Sequence, residues 1–350
     1  MKRILLYALS TMLLFSGCKK NNEKDPVFQL QNSVFIVNEG PFPTGTGTVM
    51  AYNRETGEVS VDLFEAANGR PLGNIVQSMT IYDGRAYIVV NKANKIEVVN
   101  PVDFKSIGTV EGLTLPRYFL GHNTAGGVVS CWDSTVNWLS LGSLHVTATL
   151  RVGSGPDEMV YCKGRIYALN SGGFGMDSTV SYFHYVSPNE KKITVGHRPS
   201  GIRVDKDNNV WVLCSGKGYN GFPDPEDTPA KLVCIDPDNF EVTREFVFPD
   251  NENHPDNLII NSDSTILYYN HPRGIFAFPV SASALDSQPF IPSDKMHYAL
   301  GFDNKEEMIY ASEIPDYAQN GYVYIFNASD GSLAGSFQAG IVPGGFCFSD

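Results

Sequence analysis

Prolines at 116, 156, 199, 255 and 343 divide the chain at intervals of 40, 43, 56 and 88 residues, and the last interval accommodates two units of 44. Each proline opens a similar run: an apolar strand, a turn, a second strand ending near Asn or Ser, a loop, then third and fourth strands. A period of about 40 residues built from four short strands is the signature of β-propeller blades. Laid side by side, the units agree: NIVQSMTIYDG, RAYIVVN, KIEVVNP and FKSIGTVEG from Asn74, and RYFLGHN, GVVSCWDS, NWLSLG and TATLRVG from Arg117. Further units start at Asp157, Ser200, after Pro255 and near His297. Strand-length runs separated by Gly, Asn and Asp turns leave almost no room for helices.

The two ends complete each other. After Pro343 only GGFCFSD remains, one inner strand, whereas SVFIVNEG, TVMAYNRETGE and VDLFEAA near the N-terminus read as three strands lacking an inner partner. The expected fold is therefore all-β, a seven-bladed β-propeller of four-stranded blades whose last blade is closed by N- and C-terminal strands. Residues 30–350 form one domain in this reading, and closure removes the open sheet edge that would otherwise need protection.

Residues 1–17 read as an export signal: Lys2 and Arg3, the apolar stretch ILLYALSTMLLF, then small residues before Cys18. The apolar run is too short to span a membrane. The run LFSGC resembles the lipobox of bacterial lipoproteins, with Phe15 where Leu is commonest, which makes Cys18 the expected lipidation site. Residues 18–29 then carry the lipidated cysteine and a polar tether. Net charge is −12, and −14 once Lys2 and Arg3 leave with the signal, so a nucleic-acid partner is not expected. Cysteines 131, 162, 214, 234 and 347 are scattered over different blades and read as buried thiols, with Cys214 and Cys234 the one pair worth testing for a bridge.

In a four-stranded blade the second-to-third loop and the connection to the next blade emerge on one face, and this chain spends its unusual residues there. Those loops carry Phe42, Trp132, Phe174, Tyr219, Phe222 and Tyr317, while Asn38, Asn91, Asn170 and Asn270 recur at the ends of second strands. The connections add Arg117 and Tyr118, Asp157 and Glu158, His197 and Arg198, His254, and His297 with Tyr298. Aromatics on glycine-rich loops around a ring suit a large flat ligand better than a small polar metabolite. The asparagines either cap the turn leaving the strand or present amides to the funnel. Arg117, Arg198 and Arg273 either meet phosphate or carboxylate or pair with neighbouring strands.

Catalytic signatures are lacking: no Gly-x-Ser-x-Gly elbow, HExxH, CxxC or phosphate-binding Gly-x-x-x-x-Gly-Lys. His197, His254 and His297 fall at comparable connections, which raises and does not establish a shared metal, and DPEDTP at 224–229 reads as a solvated acidic loop. The expectation is a non-enzyme with no metal and no cofactor.

FIVN at 35–38, YIVVN at 87–91 and YALN at 167–170, each ending a second strand, resemble the YVTN-type repeat of YncE-like seven-bladed propellers over nearly all of residues 30–350. With the lipoprotein signal, overall layout and loop character, the chain looks most like the BtuG group of surface lipoproteins of gut Bacteroides. That resemblance implies a cell-surface outer-membrane lipoprotein that binds cobalamin (vitamin B12) and hands it to a TonB-dependent outer-membrane transporter of the BtuB type. It then assigns apolar contact to Phe42, Trp132, Phe174, Tyr219, Phe222 and Tyr317, and amide or phosphate contact to Asn91, Asn170, Asn270 and Arg198. A module binding glycan or a protein partner, and a propeller hydrolase or lyase, remain the alternatives.

Overall fold

A computed structural model describes residues 30–349. The expected export signal, Cys18 and the tether lie outside the described residues. Among the described residues no helix is long and apolar enough to cross a membrane.

Seven antiparallel sheets are arranged around an axis. Blade 1 starts with the inner strand Val76–Tyr82 and ends with the outer strand Ser106–Val110; blades 2, 3 and 4 start at Pro116, Pro156 and Pro199, blade 5 at Asp256 and blade 6 at Leu300. Blade 7 takes its inner strand, Pro343–Phe348, from the C-terminus and its next two, Ser33–Asn38 and Thr48–Asn53, from the N-terminus. The closing pair is antiparallel, with Val34 opposite Phe348 and Ile36 opposite Phe346, and its register slips at Asn38. The seven-bladed architecture and its terminal closure are as the sequence predicts.

One strand is not. VDLFEAA forms a short helix, Leu63–Asn68, instead of the fourth strand of blade 7, where a lone bridge between Tyr52 and Val59 stands. The cause is local: Asp62 caps the first turn by accepting the N–H groups of Phe64 (3.0 Å) and Glu65 (3.3 Å), and Gly69 ends the helix at a φ of 66°. Phe64 is then buried beneath the Arg70 guanidinium.

Core side chains lie between the blades, not inside them. Within the strand Ser33–Asn38, Phe35 and Val37 pack toward blade 1 with Ala86, Ile88 and Phe104, while Val34 and Ile36 pack toward blade 6 with Tyr310, Val323 and Ile325. Alternation along one strand thus joins two interfaces, each such side chain contributing about 1.5–3 kcal/mol. The five cysteines among the described residues are buried, and Cys214 and Cys234 are free thiols that do not pair.

The entry to the inner strand recurs. Ile75, Leu115, Gly155, Arg198 and Val342 each precede an inner strand with φ between 50° and 55°, the left-handed region. Each offers its carbonyl to the backbone N–H of the residue that follows the blade's second strand: Asn91, Trp132, Ser171, Ser215 and Glu39, at 2.8 to 3.0 Å. These latches hold the loop face of the ring.

Blade 7 is tied to blade 6 by Arg54 and Asp303, 2.5 Å apart and both almost fully buried, with Arg54 also donating to the carbonyls of Ser349 (3.0 Å) and Ser33 (3.3 Å). Replacing one partner of such a pair strands a buried charge. Arg54→Ala is expected to destabilise the protein by about 3–5 kcal/mol, whereas Arg54→Met with Asp303→Leu recovers most of the loss. Thermal unfolding of both variants checks this.

Candidate functional site

The loop face narrows into a funnel on the ring axis. A cavity of about 400 Å³ at its mouth is walled by Arg117, Asp157, Arg198, Tyr219, His254 and Asp256, among others. A second of about 390 Å³ lies further along the axis, and the two share Tyr118, Glu158, Arg203, Asn257, Ile259 and Leu300.

The funnel walls are charged because the residues that follow the inner-strand prolines point at the axis. Arg117 of blade 2 donates Nε–H to Asp157 of blade 3 at 2.7 Å and its Nη1 to Gln77 of blade 1. Arg203 of blade 4 grips both carboxylate oxygens of Glu158, at 2.7 and 3.2 Å. Ion pairs therefore link successive inner strands and leave the funnel polar without a large excess of either sign.

The six aromatics expected on this face form three groups. Trp132 lies under the Arg117 guanidinium, 4.0 Å from its ring, donates Nε1–H to Asp157 at 3.3 Å, and meets Phe174 edge-to-face at 5.1 Å. The Ser171 hydroxyl donates to the oxygen that Trp132 also meets, Asp157 Oδ2, at 2.7 Å, opposite the Oδ1 held by Arg117. The loop carrying Phe174 reaches this place because Gly155 and Gly173 touch: a Cβ on Gly155 would lie 2.0 Å from the Gly173 nitrogen. In the second group, Arg198 stacks on Tyr219 at 4.6 Å and donates to the Gly218 carbonyl, while Tyr219 bridges to Phe222 across a tight turn. Phe42 and Tyr317 form the third, on either side of an apolar cleft with Glu39, Gly40, Ile75 and Val342.

The expected amide contacts do not survive. Asn91, Asn170 and Asn270 are buried, and their side chains are spent inside the ring. Asn91 donates to the Pro116 carbonyl at 3.0 Å, Asn170 to the hydroxyls of Thr179 (2.8 Å) and Ser181 (3.0 Å), and Asn270 to Asp256 (3.0 Å) and the His297 carbonyl. Asn38 is likewise engaged, donating to Thr48 and accepting from the Gly340 N–H. These bonds run to other strands of the same blade or to the neighbouring blade, so the amides tie strands and blades together instead of capping the local turn. The three connection histidines do not converge either: His197 is exposed and contacts Thr228, whereas His254 and His297 are buried in different blade junctions. Among the described residues no group of three His, Cys, Asp or Glu side chains is placed to hold a metal ion.

Arg203 and Asp256 line the funnel and were not singled out by sequence. Both lie within inner strands, whose side chains alternate toward the axis. Asp256 is the most perturbed: burial pushes its carboxyl up to about 6, against the pull of Asn257, Asn270 and the nearby Arg198. Burial also raises Glu39, opposed by Arg117 and by the Tyr298 hydroxyl that donates to it at 3.2 Å.

Since the folded Asp256 holds its proton to higher pH than the unfolded chain, stability falls as pH rises from about 4 to about 6 and stays lower above that. Asp256→Asn keeps an acceptor oxygen for Asn257 and Asn270. It is expected to stabilise the protein by roughly 1–3 kcal/mol near pH 7.5, the gain disappearing by about pH 4, as measured by unfolding of both proteins across this range.

The geometry has relatives of known structure. A quinoprotein alcohol dehydrogenase-like protein from Bacteroides thetaiotaomicron VPI-5482 superposes with a TM-score of 0.69 at 16% identity, over 92% of this chain and 79% of that one. Hydrazine synthase of Kuenenia stuttgartiensis gives 0.63 at 13% identity, over 84% and 92%. A functionally unknown protein from Desulfotomaculum acetoxidans DSM 771 gives 0.57 at 12%, over 75% and 83%. At these identities the likeness is one of fold. No curated protein matches the chain. A family model does, over residues 32–342, from the residue before blade 7's first N-terminal strand to the residue before its closing strand, and by that match the chain belongs to the family described as Domain of unknown function (DUF5074).

Proposed function

We propose that this chain is a non-enzymatic capture protein that binds cobalamin across the loop face and passes it to a TonB-dependent transporter of the BtuB type, held at the cell surface of the outer membrane by lipid on Cys18. The observation that carries this reading is the ring of aromatics left in water on firmly held loops: Phe42, Phe174 and Phe222 are 64%, 81% and 78% exposed. Large apolar side chains gathered on one face of a folded domain mark a binding surface.

The chemistry suits the ligand. Cobalamin offers a wide corrin disc, amide arms and a phosphate. Trp132, Phe174, Tyr219 and Phe222 supply flat apolar area beside a funnel whose hydrogen-bonding groups meet amides, and Arg198 at the cavity wall supplies charge for the phosphate. The latched loops need little ordering on binding, which favours affinity over a flexible surface of equal area. Capture and release of an intact ligand require no bond to be made or broken, so the absence of a catalytic motif is no obstacle.

Isothermal titration of residues 27–350 with cyanocobalamin is expected to show tight one-to-one binding. Combined alanine replacement of Trp132, Phe174 and Tyr219 is expected to weaken it by at least about a hundredfold, since buried aromatic anchors each carry about 1–3 kcal/mol at such interfaces. Absence of heat and of a spectral shift at micromolar protein, or full affinity in the triple variant, removes this assignment. A glycan array would then be the next measurement.

A further inference from the structure

The third aromatic group differs from the other two. Phe42 and Tyr317, 64% and 56% exposed, stand at a cleft of about 330 Å³ whose remaining wall is Glu39, Gly40, Ile75 and Val342. Where the axial funnel is polar and charged, this cleft is apolar with one carboxylate. It lies off the axis, at the junction of blades 6, 7 and 1.

Its walls are fixed. The loop bearing Phe42 is sewn to the connection entering blade 1: Gly47 N–H donates to the Gly73 carbonyl at 2.9 Å, Thr46 Oγ1 both accepts from Gly73 N–H (3.0 Å) and donates to its carbonyl (3.1 Å), and Asn74 donates to the Gly45 carbonyl at 2.9 Å. On the other side Glu39 and Gly40 donate their N–H groups to Val342 (2.8 Å) and Ile341 (3.0 Å). Tyr317 is set against Tyr298, edge-to-face at 6.4 Å, and Tyr298 donates to Glu39 Oε1. Ile75 and Val342 reach the cleft from left-handed backbone, at φ of 54° and 55°. A β-branched residue is among the costliest to hold there. Two of them at one cleft, below two exposed rings, is backbone strain gathered at a single surface feature.

We propose that this cleft is a ring-binding slot for a small-molecule ligand: it takes a planar aromatic group, flanked by Phe42 and Tyr317 over Ile75 and Val342, with an N–H or O–H on the ring's edge donating to the Glu39 carboxylate. The volume fits one ring system, the rings supply stacking or edge contacts, and the lone acceptor selects a donor-bearing edge. The proposal rests on the reading that the loop face binds ligand, and it concerns a part of that face distinct from the funnel.

Indole, which has a ring-edge N–H, and 1-methylindole, which lacks it, are the probes, titrated into the purified protein at about pH 8 and followed by ligand-observed NMR, with affinity in the low millimolar range typical of so small a ligand, about 1–10 mM. Phe42→Ala and Tyr317→Ala are expected to weaken indole about tenfold each while leaving the melting temperature unchanged, because both rings are exposed. Indole should bind about three- to tenfold better than its methylated form, and the preference should narrow in Glu39→Gln, whose amide oxygen is the weaker acceptor. No saturable binding by about 10 mM, equal binding by both alanine variants, or no preference for the donor-bearing ring overturns the slot. Cobalamin titration of the same proteins separates the two readings. Indole binding through Phe42 without cobalamin binding keeps the slot and removes the ligand assigned above, and the reverse result removes only the slot.

Discussion

The loop face depends on one repeated backbone bond, the N–H of the residue leaving the second strand donated to the carbonyl of the left-handed residue entering the first. A left-handed conformation costs a residue other than glycine about 1–2 kcal/mol, and four such residues, Ile75, Leu115, Arg198 and Val342, accept it here. The bend turns the chain from the outer edge of one blade to the axis within a residue or two. It also sets where the following side chains go. Arg198 itself lines the funnel, and Arg117 and Asp157 reach the axis from strand starts that the bend has aimed, while Asp256 comes from blade 5, whose entry lacks that bend. Shape and chemistry of the face share this one origin.

Around that frame the charges are arranged in relay. Arg117 joins blades 2 and 3, and Arg203 joins blades 3 and 4, so the same ion pairs that line the funnel also tie its staves together. Being half-shielded, they are worth more than surface pairs and less than their geometry suggests, because each lost water on assembly. Asp256 is the exception: it has amide partners and the electrostatic pull of Arg198 but no salt bridge, and its carboxylate is held at neutral pH against burial. Groups that cost stability and line a cavity are the ones function tends to retain.

Much of this was legible in the sequence. Proline spacing and strand–turn alternation gave the blade count, and the missing inner strand at one end and spare one at the other gave the closure. The helix at Leu63–Asn68 was misread because VDLFEAA has strand-like apolar character, and the decisive residue, the Asp62 cap, is one side chain. The asparagines were placed correctly along the chain yet not in space: whether an amide points to the funnel or to the next blade's carbonyl depends on the bend, which no local pattern encodes. Aromatics grouped as Trp132 with Phe174 and Tyr219 with Phe222, the first pair coming from neighbouring blades whose loop lengths set their meeting. Most of the charged funnel was named as connection residues, Arg117, Asp157, Glu158 and Arg198, whereas Arg203 and Asp256 were missed because inner strands read as short apolar runs.

The closing strand has a topological consequence. Pro343–Phe348 runs from the loop face toward the opposite one, and Ser33–Asn38 runs back, so Ser33 and Ser349 meet on the far side, where the Ser349 N–H donates to the Ser33 carbonyl at 3.1 Å. Both ends of the described chain therefore leave from the floor of the ring. A fusion added for immobilisation at either end of the described chain attaches on the face opposite the aromatic crown.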